Sequence, residues 1–128
     1  MLHHIELYVS DLDRSCAFWT PFMAHLGHRA DPWSGGMNYR RGDHEPYYCL
    51  LPAPSAHRAA GYHRQRVGLN HLAFRGESRT HVDQIAQWVL DAGHPLLYAD
   101  RHPYAGGPEY YALFCEDPDR FKLEVVAP

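Results

Sequence analysis

Cysteine is scarce in this chain. Cys16, Cys49 and Cys115 are its whole supply, an odd number, which excludes a disulfide framework and points to a reducing, cytoplasmic setting. Nothing approaches the roughly 20 consecutive apolar residues of a membrane span. No basic n-region with an apolar stretch precedes the first strand-like pattern, so neither a leader nor a membrane partner is expected. Lys and Arg never cluster beyond a few residues and the formal net charge is −3, which makes nucleic acid an unexpected partner too. Disorder is excluded by composition: 45% of residues are apolar and 13% aromatic, enough for one domain of 128 residues with a real core.

What the chain has in abundance is histidine, 11 residues in all. A count decides nothing, because many must be solvated, so position has to separate ligands from surface. Leu2 to Val9 alternates, with His3, Ile5, Leu7 and Val9 on one face and His4, Glu6 and Tyr8 on the other, the period of a strand. Ser10-Asp11-Leu12-Asp13 offers helix N-caps, and Leu12, Cys16, Trp19, Phe22, Met23 and Leu26 follow helical spacing up to a stop at Gly27. Pro21 inside that pattern predicts a kink or an early break. Segments at 29–30, 37–41 and 47–51 read as strands, with a turn at Trp33-Ser34-Gly35-Gly36.

After a linker at 55–66 the pattern starts again. Val67 to Arg75 is strand-like, Ser78 or Thr80 caps a helix with Val82, Ile85, Ala86 and Val89 on its apolar stripe, and Gly93 closes it. Strands follow at 95–98, 110–115 and 120–127, with a Gly/Pro-rich loop from Asp100 to Pro108. His71 follows His4 at the offset, to within one residue, at which Gly93 follows Gly27, so a βαβββ unit is written twice. The expectation is an α+β fold: one domain, two modules at about 1–54 and 67–128, forming a half-barrel-type mixed sheet with helices on its outer face.

Face parity then singles out three residues. Ile5, Leu7 and Val9 make the helix-packing face of the first strand, which turns His4 the other way. Leu72 and Phe74 do the same for His71, and Leu123 and Val125 for Glu124. Glu124 stands mid-strand among apolar neighbours, where a carboxylate needs a base, a cation or a metal. Two imidazoles and a carboxylate on one cavity face are a facial triad suited to Fe(II), Mn(II), Zn(II) or Ni(II), with open positions for water or substrate.

Three stretches, His4-Ile5-Glu6-Leu7-Tyr8-Val9-Ser10-Asp11-Leu12, Gly68-Leu69-Asn70-His71-Leu72-Ala73-Phe74 and Asp117-Pro118-Asp119-Arg120-Phe121-Lys122-Leu123-Glu124, resemble the signature stretches of the vicinal oxygen chelate superfamily. That superfamily includes glyoxalase I, bleomycin-resistance proteins, fosfomycin-resistance enzymes and extradiol dioxygenases. The resemblance runs from Leu2 to Val126 and implies that His4, His71 and Glu124 are metal ligands. It also implies a fourth ligand in glyoxalase I, a Glu in the last strand of the first module. Here that strand is Tyr47-Tyr48-Cys49-Leu50-Leu51, and the position falls on Cys49 or Leu50, neither a carboxylate.

By this resemblance the expected function is a metal-dependent enzyme, a homodimer, acting on a small substrate that chelates the metal through adjacent oxygens. The reaction is either that of a glyoxalase-like lyase or isomerase or that of a ring-cleaving oxygenase. The alternative is a metal-free protein of the bleomycin-resistance kind that sequesters its ligand. For proton transfer and oxyanion contact the candidates are His102 and Tyr111 in the 100–111 loop. Glu6 and Tyr8 share the face of His4, whereas Asn70 has the opposite parity to His71 and reads as structural.

Overall fold

A computed structural model describes all residues, 1–128, and divides into two compact units, Met1–Gly61 and Tyr62–Pro128. The first unit runs β1 (His4–Val9), α1 (Leu12–His25), β2 (Arg29–Trp33), β3 (Gly36–Arg40), β4 (Tyr47–Pro52) and a short α2 (Ser55–Arg58). Its sheet has the order β1-β4-β3-β2, with β1 parallel to β4 and the other neighbours antiparallel. Parallel pairing of β1 and β4 needs a long crossover, and α1 with the β2–β3 hairpin supplies it.

Helix α1 begins and ends on the expected residues. Asp11, in extended conformation, caps it by accepting a hydrogen bond from the Arg14 amide at 3.0 Å. At its other end Gly27 takes φ +79°, and the His28 amide donates back to the Met23 carbonyl at 2.9 Å. Pro21 does not break the helix. The proline deprives the Ala17 carbonyl of its donor, but Ala17 lies on the exposed side where water can replace it. On the opposite side Phe18, Trp19, Phe22 and Met23 are fully buried, and the helix packs against β2, β3 and β4.

The second unit contains β5 (Leu72–Arg75), α3 (Arg79–Asp91), β6 (Ala112–Glu116) and β7 (Lys122–Val126). Its sheet has the order β5-β7-β6, with β7 central, parallel to β5 and antiparallel to β6. Ser78 caps α3 by accepting from the His81 amide at 3.0 Å, and Val82, Ile85, Ala86 and Val89 form its buried stripe. So the architecture is α+β, two mixed sheets of four and three strands rather than a closed barrel.

Two expectations need adjusting. The strand anticipated at 95–98 is reduced to a single bridge between Leu96 and Cys115, with the Leu97 amide donating to the Phe114 carbonyl at 2.8 Å. Pro95 has no amide to extend the ladder, and Tyr98 at φ +56° turns the chain away. The strand anticipated over 67–75 is confined to β5, Leu72–Arg75, which leaves His71 just before it. The 55–66 segment carries α2, and from Tyr62 onward it belongs to the second unit. There the Tyr62 hydroxyl donates to the Leu69 carbonyl and its ring lies 4.2 Å from that of Phe121. No helix is long and apolar enough to cross a membrane.

Candidate functional site

Glu124 occupies the middle of the central strand of the second unit, opposite Ala73 on β5 and Phe114 on β6. Its residue exposure is 3%, so water cannot solvate the carboxylate and protein groups must. Two do. His71 stands just before β5, two residues from Ala73 and therefore on the same face, diagonal to Glu124. Ala73 is small enough to leave the space open, and His71 Nε2 lies 3.0 Å from Glu124 Oε2. From the other side the Tyr110 hydroxyl donates to Glu124 Oε1 at 2.5 Å.

Each of these two partners is held in turn. Asn70 Oδ1 lies 2.6 Å from His71 Nδ1, and a carbonyl oxygen can only accept, so Nδ1 carries the proton. Tyr110 lies across Gly106: a Cβ there would come within 2.4 Å of Tyr110 Cδ1. The hydrogen bond to the carboxylate, and secondarily burial, raises the Tyr110 pKa above that of an ordinary phenol, so at neutral pH the hydroxyl is a donor.

Metal chemistry can be tested on this geometry. With Nδ1 protonated, a neutral His71 would point the lone pair of Nε2 at a carboxylate oxygen 3.0 Å away. Two acceptors at that distance repel unless a proton or a cation lies between them. Two ligands at right angles, each about 2.1 Å from a metal, are themselves about 3.0 Å apart. Asn70 meanwhile gives His71 the second hydrogen bond that metal-binding histidines commonly have. The donor set fits a divalent ion, although within each unit no group of three His, Cys, Asp or Glu side chains is gathered for one.

His4, the remaining expected ligand, lies on β1 of the first unit. Its ring stacks on Tyr47, its register partner, at 4.9 Å, and Tyr47 is covered in turn by the Arg40 guanidinium at 3.8 Å. His4 Nδ1 lies 2.8 Å from His3 Nδ1, and His4 Nε2 lies 3.9 Å from Glu6 Oε1. Glu6 and Tyr8, on the same face, are exposed. Cys49 is buried, and burial raises its thiol pKa, which keeps it an uncharged small hydrophobe.

The 100–111 loop divides its candidates. Tyr111 does not join Glu124; its hydroxyl donates to Asp83 Oδ1 on α3 at 2.5 Å and its ring meets Tyr104 edge-on at 5.5 Å. The group delivered to Glu124 is the neighbouring Tyr110, which periodicity did not single out. The tight Gly106-Gly107 pair ahead of it was the available signal. His102 is half-buried, with its Nδ1 enclosed and without a hydrogen-bond partner. Asn70, expected to be structural, orients the ring of His71.

Residues 1–125 match the family model described as the glyoxalase/bleomycin resistance protein/dioxygenase superfamily. The uncharacterized protein YqjT of Bacillus subtilis (strain 168) is 48% identical over 128 residues, 99% of this chain and 98% of that one. A crystal structure from Bacillus halodurans, provisionally designated a glyoxalase, is 46% identical, covers 100% of this chain and 96% of its own, and superposes with a TM-score of 0.95. At 19% identity, the fosfomycin resistance protein FosX of Listeria monocytogenes shares the fold, with a TM-score of 0.67 over 100% of this chain and 93% of its own. This chain belongs to the glyoxalase/bleomycin resistance protein/dioxygenase superfamily.

Proposed function

We propose that this protein is a metal-dependent enzyme acting on a small substrate with two adjacent oxygens, and that His4, His71 and Glu124 hold the metal. The observation that carries the reading is the His71–Glu124 pair: Nε2 and Oε2 at 3.0 Å, with the other imidazole nitrogen committed to Asn70. A buried carboxylate oxygen 3.0 Å from an imidazole nitrogen calls for a proton or a cation between them, which supports a site built around positive charge. Fe(II), Mn(II), Zn(II) and Ni(II) all suit the two imidazoles and one carboxylate. What a divalent ion would supply there is Lewis acidity toward the substrate's oxygens.

The remaining work falls to the chain. Glu124 brings the negative charge, and Tyr110 keeps one carboxylate oxygen occupied so that the other is presented. His71 is held in one tautomer by Asn70. His102 stays the candidate for proton transfer, through Nε2, because its Nδ1 is enclosed. Tyr111 stays a weaker candidate because its hydroxyl is taken by Asp83. A lyase or isomerase of the glyoxalase kind and a ring-cleaving oxygenase both remain within this proposal, as does a homodimer in the cytoplasm.

The experiment is metal analysis of protein purified without added metal, followed by thermal-shift titration with the four ions. Stoichiometric metal or a saturable stabilisation supports the enzyme reading. Neither, in protein that is folded, would leave a proton between His71 and Glu124 and favour a ligand-sequestering protein of the bleomycin-resistance kind. If metal binds, oxygen uptake with catechols against turnover of hemithioacetals separates the two reaction types.

A further inference from the structure

The second unit carries another polar pocket, at the turn between β6 and β7, which the proposed metal chemistry does not use. It encloses 240 Å³ and is lined by Tyr62, His63, Arg64, Gln65 and Arg120. Two of these residues converge on Glu116, which with 7% exposure accepts from Arg64 through Oε1 at 2.8 Å and from Arg120 through Oε2 at 3.4 Å. Both carboxylate oxygens are therefore engaged, while each guanidinium has further N–H groups to offer. The nearby Asp117 directs Oδ1 to the backbone amides of Asp119 and Phe121, at 3.0 and 2.7 Å. His63 Nδ1 accepts from the Gln65 amide at 3.1 Å, which places the ring's proton on Nε2. The Tyr62 hydroxyl is spent on the Leu69 carbonyl. Side-chain donors remain at Arg64, Arg120, His63 and Gln65.

The backbone at Arg120 adds a second observation. Its φ is +68°, a left-handed conformation that favours glycine and that Arg120 and Tyr98 alone among the non-glycine residues adopt. An arginine persists here at a conformational cost, with its side chain on the pocket. Such cost is commonly retained where a side chain serves a function.

We propose that this pocket binds a small phosphate-type oxyanion, free or esterified to a small metabolite, with Arg64 and Arg120 as its charged donors and Glu116 as the brace that pre-orients them. Two planar guanidiniums anchored on one buried carboxylate suit such a group. The buried brace separates this arrangement from a surface charge cluster.

The test is titration of the whole protein, chelator-treated and dialysed, with inorganic phosphate at low salt, read by calorimetry or amide chemical shifts. Wild type is expected to bind saturably. Arg120→Gly is expected to lose at least tenfold in affinity while its melting temperature changes little, because relief of the backbone offsets the loss of the long 3.4 Å bond to Glu116. The exposed His63→Ala variant is the second probe and should weaken binding severalfold without affecting folding. Glycerol phosphate, competing in the same assay, distinguishes the ligand's source: binding at least as tight as phosphate points to an ester, and weaker binding to the free anion. No saturable binding by wild type, or equal affinity in both variants, would overturn the site. A lower melting temperature for Arg120→Gly with unchanged phosphate affinity would also overturn it, by making Arg120 only a clamp on Glu116.

Discussion

At the residue scale the molecule turns on how a buried carboxylate is kept. Glu124 has one oxygen on Tyr110 and one on His71, and removing either partner leaves a buried acceptor short of a donor. Such a loss costs about 1–3 kcal/mol. His71→Ala should sit at the lower end of that range in metal-free protein, since the His71 side chain is 33% exposed and water can replace it in part. Chemical denaturation measures this. Tyr110→Phe removes only the hydroxyl, so the fold should survive while divalent-metal affinity falls by about 10–100-fold, the usual cost of losing an outer-shell partner. Gly106→Ala should reproduce that loss without touching the hydroxyl, because the added Cβ displaces the ring. Unchanged metal affinity in both variants would remove Tyr110 from the site.

The elements that read clearly in the sequence are those whose signals are local. Asp11 and Gly27 bound α1, Ser78 and Gly93 bound α3, and two-residue alternation marks β1 and β7. Parity set His71 and Glu124 against each other because Leu72 and Phe74 of β5 and Leu123 and Val125 of β7 mark the opposite face, and His71, just before β5, reaches Glu124 at 3.0 Å. It could not rank Tyr110 against Tyr111, since their direction is set by how the loop rests on Gly106 and not by any period. Nor could it expose the failure at 95–98, where pairing depends on a partner strand and on the turned backbone of Tyr98. Two predictions belong to this scale. Trp19→Ala, in the fully buried face of α1, should cost about 3–5 kcal/mol in denaturant unfolding. Gly36→Ala should also destabilise, because a Cβ on β3 would come within 2.1 Å of the Leu50 carbonyl oxygen on β4, a backbone atom that cannot swing aside.

Over the whole molecule, stability should respond to acid through histidines that the fold keeps neutral. Burial lowers the pKa of His28, outweighing its bond to the Leu26 carbonyl, and burial likewise lowers that of His94. A depressed histidine binds fewer protons folded than unfolded, so its stabilising contribution is complete above the unfolded value of about 6.5 and is lost as pH falls through the folded one. Melting temperature should therefore drop from pH 7.5 to pH 5, and a His28→Gln, His94→Gln double variant should show a shallower drop. Equal slopes would assign the acid response to other groups.

Membership of the superfamily settles the scaffold and leaves the chemistry to individual side chains. Among these Glu124 carries the most weight: it is a buried carboxylate that meets an imidazole, in the central strand of its sheet. The most direct measurement is a divalent-metal titration of wild type beside Glu124→Gln, with Mn(II) followed by its paramagnetic resonance signal. The predicted result is saturable binding by wild type and a loss of at least a hundredfold in the variant, with secondary structure retained. Equal affinity in the two proteins would contradict the assignment of Glu124, and of the His71 pair with it, as the metal site.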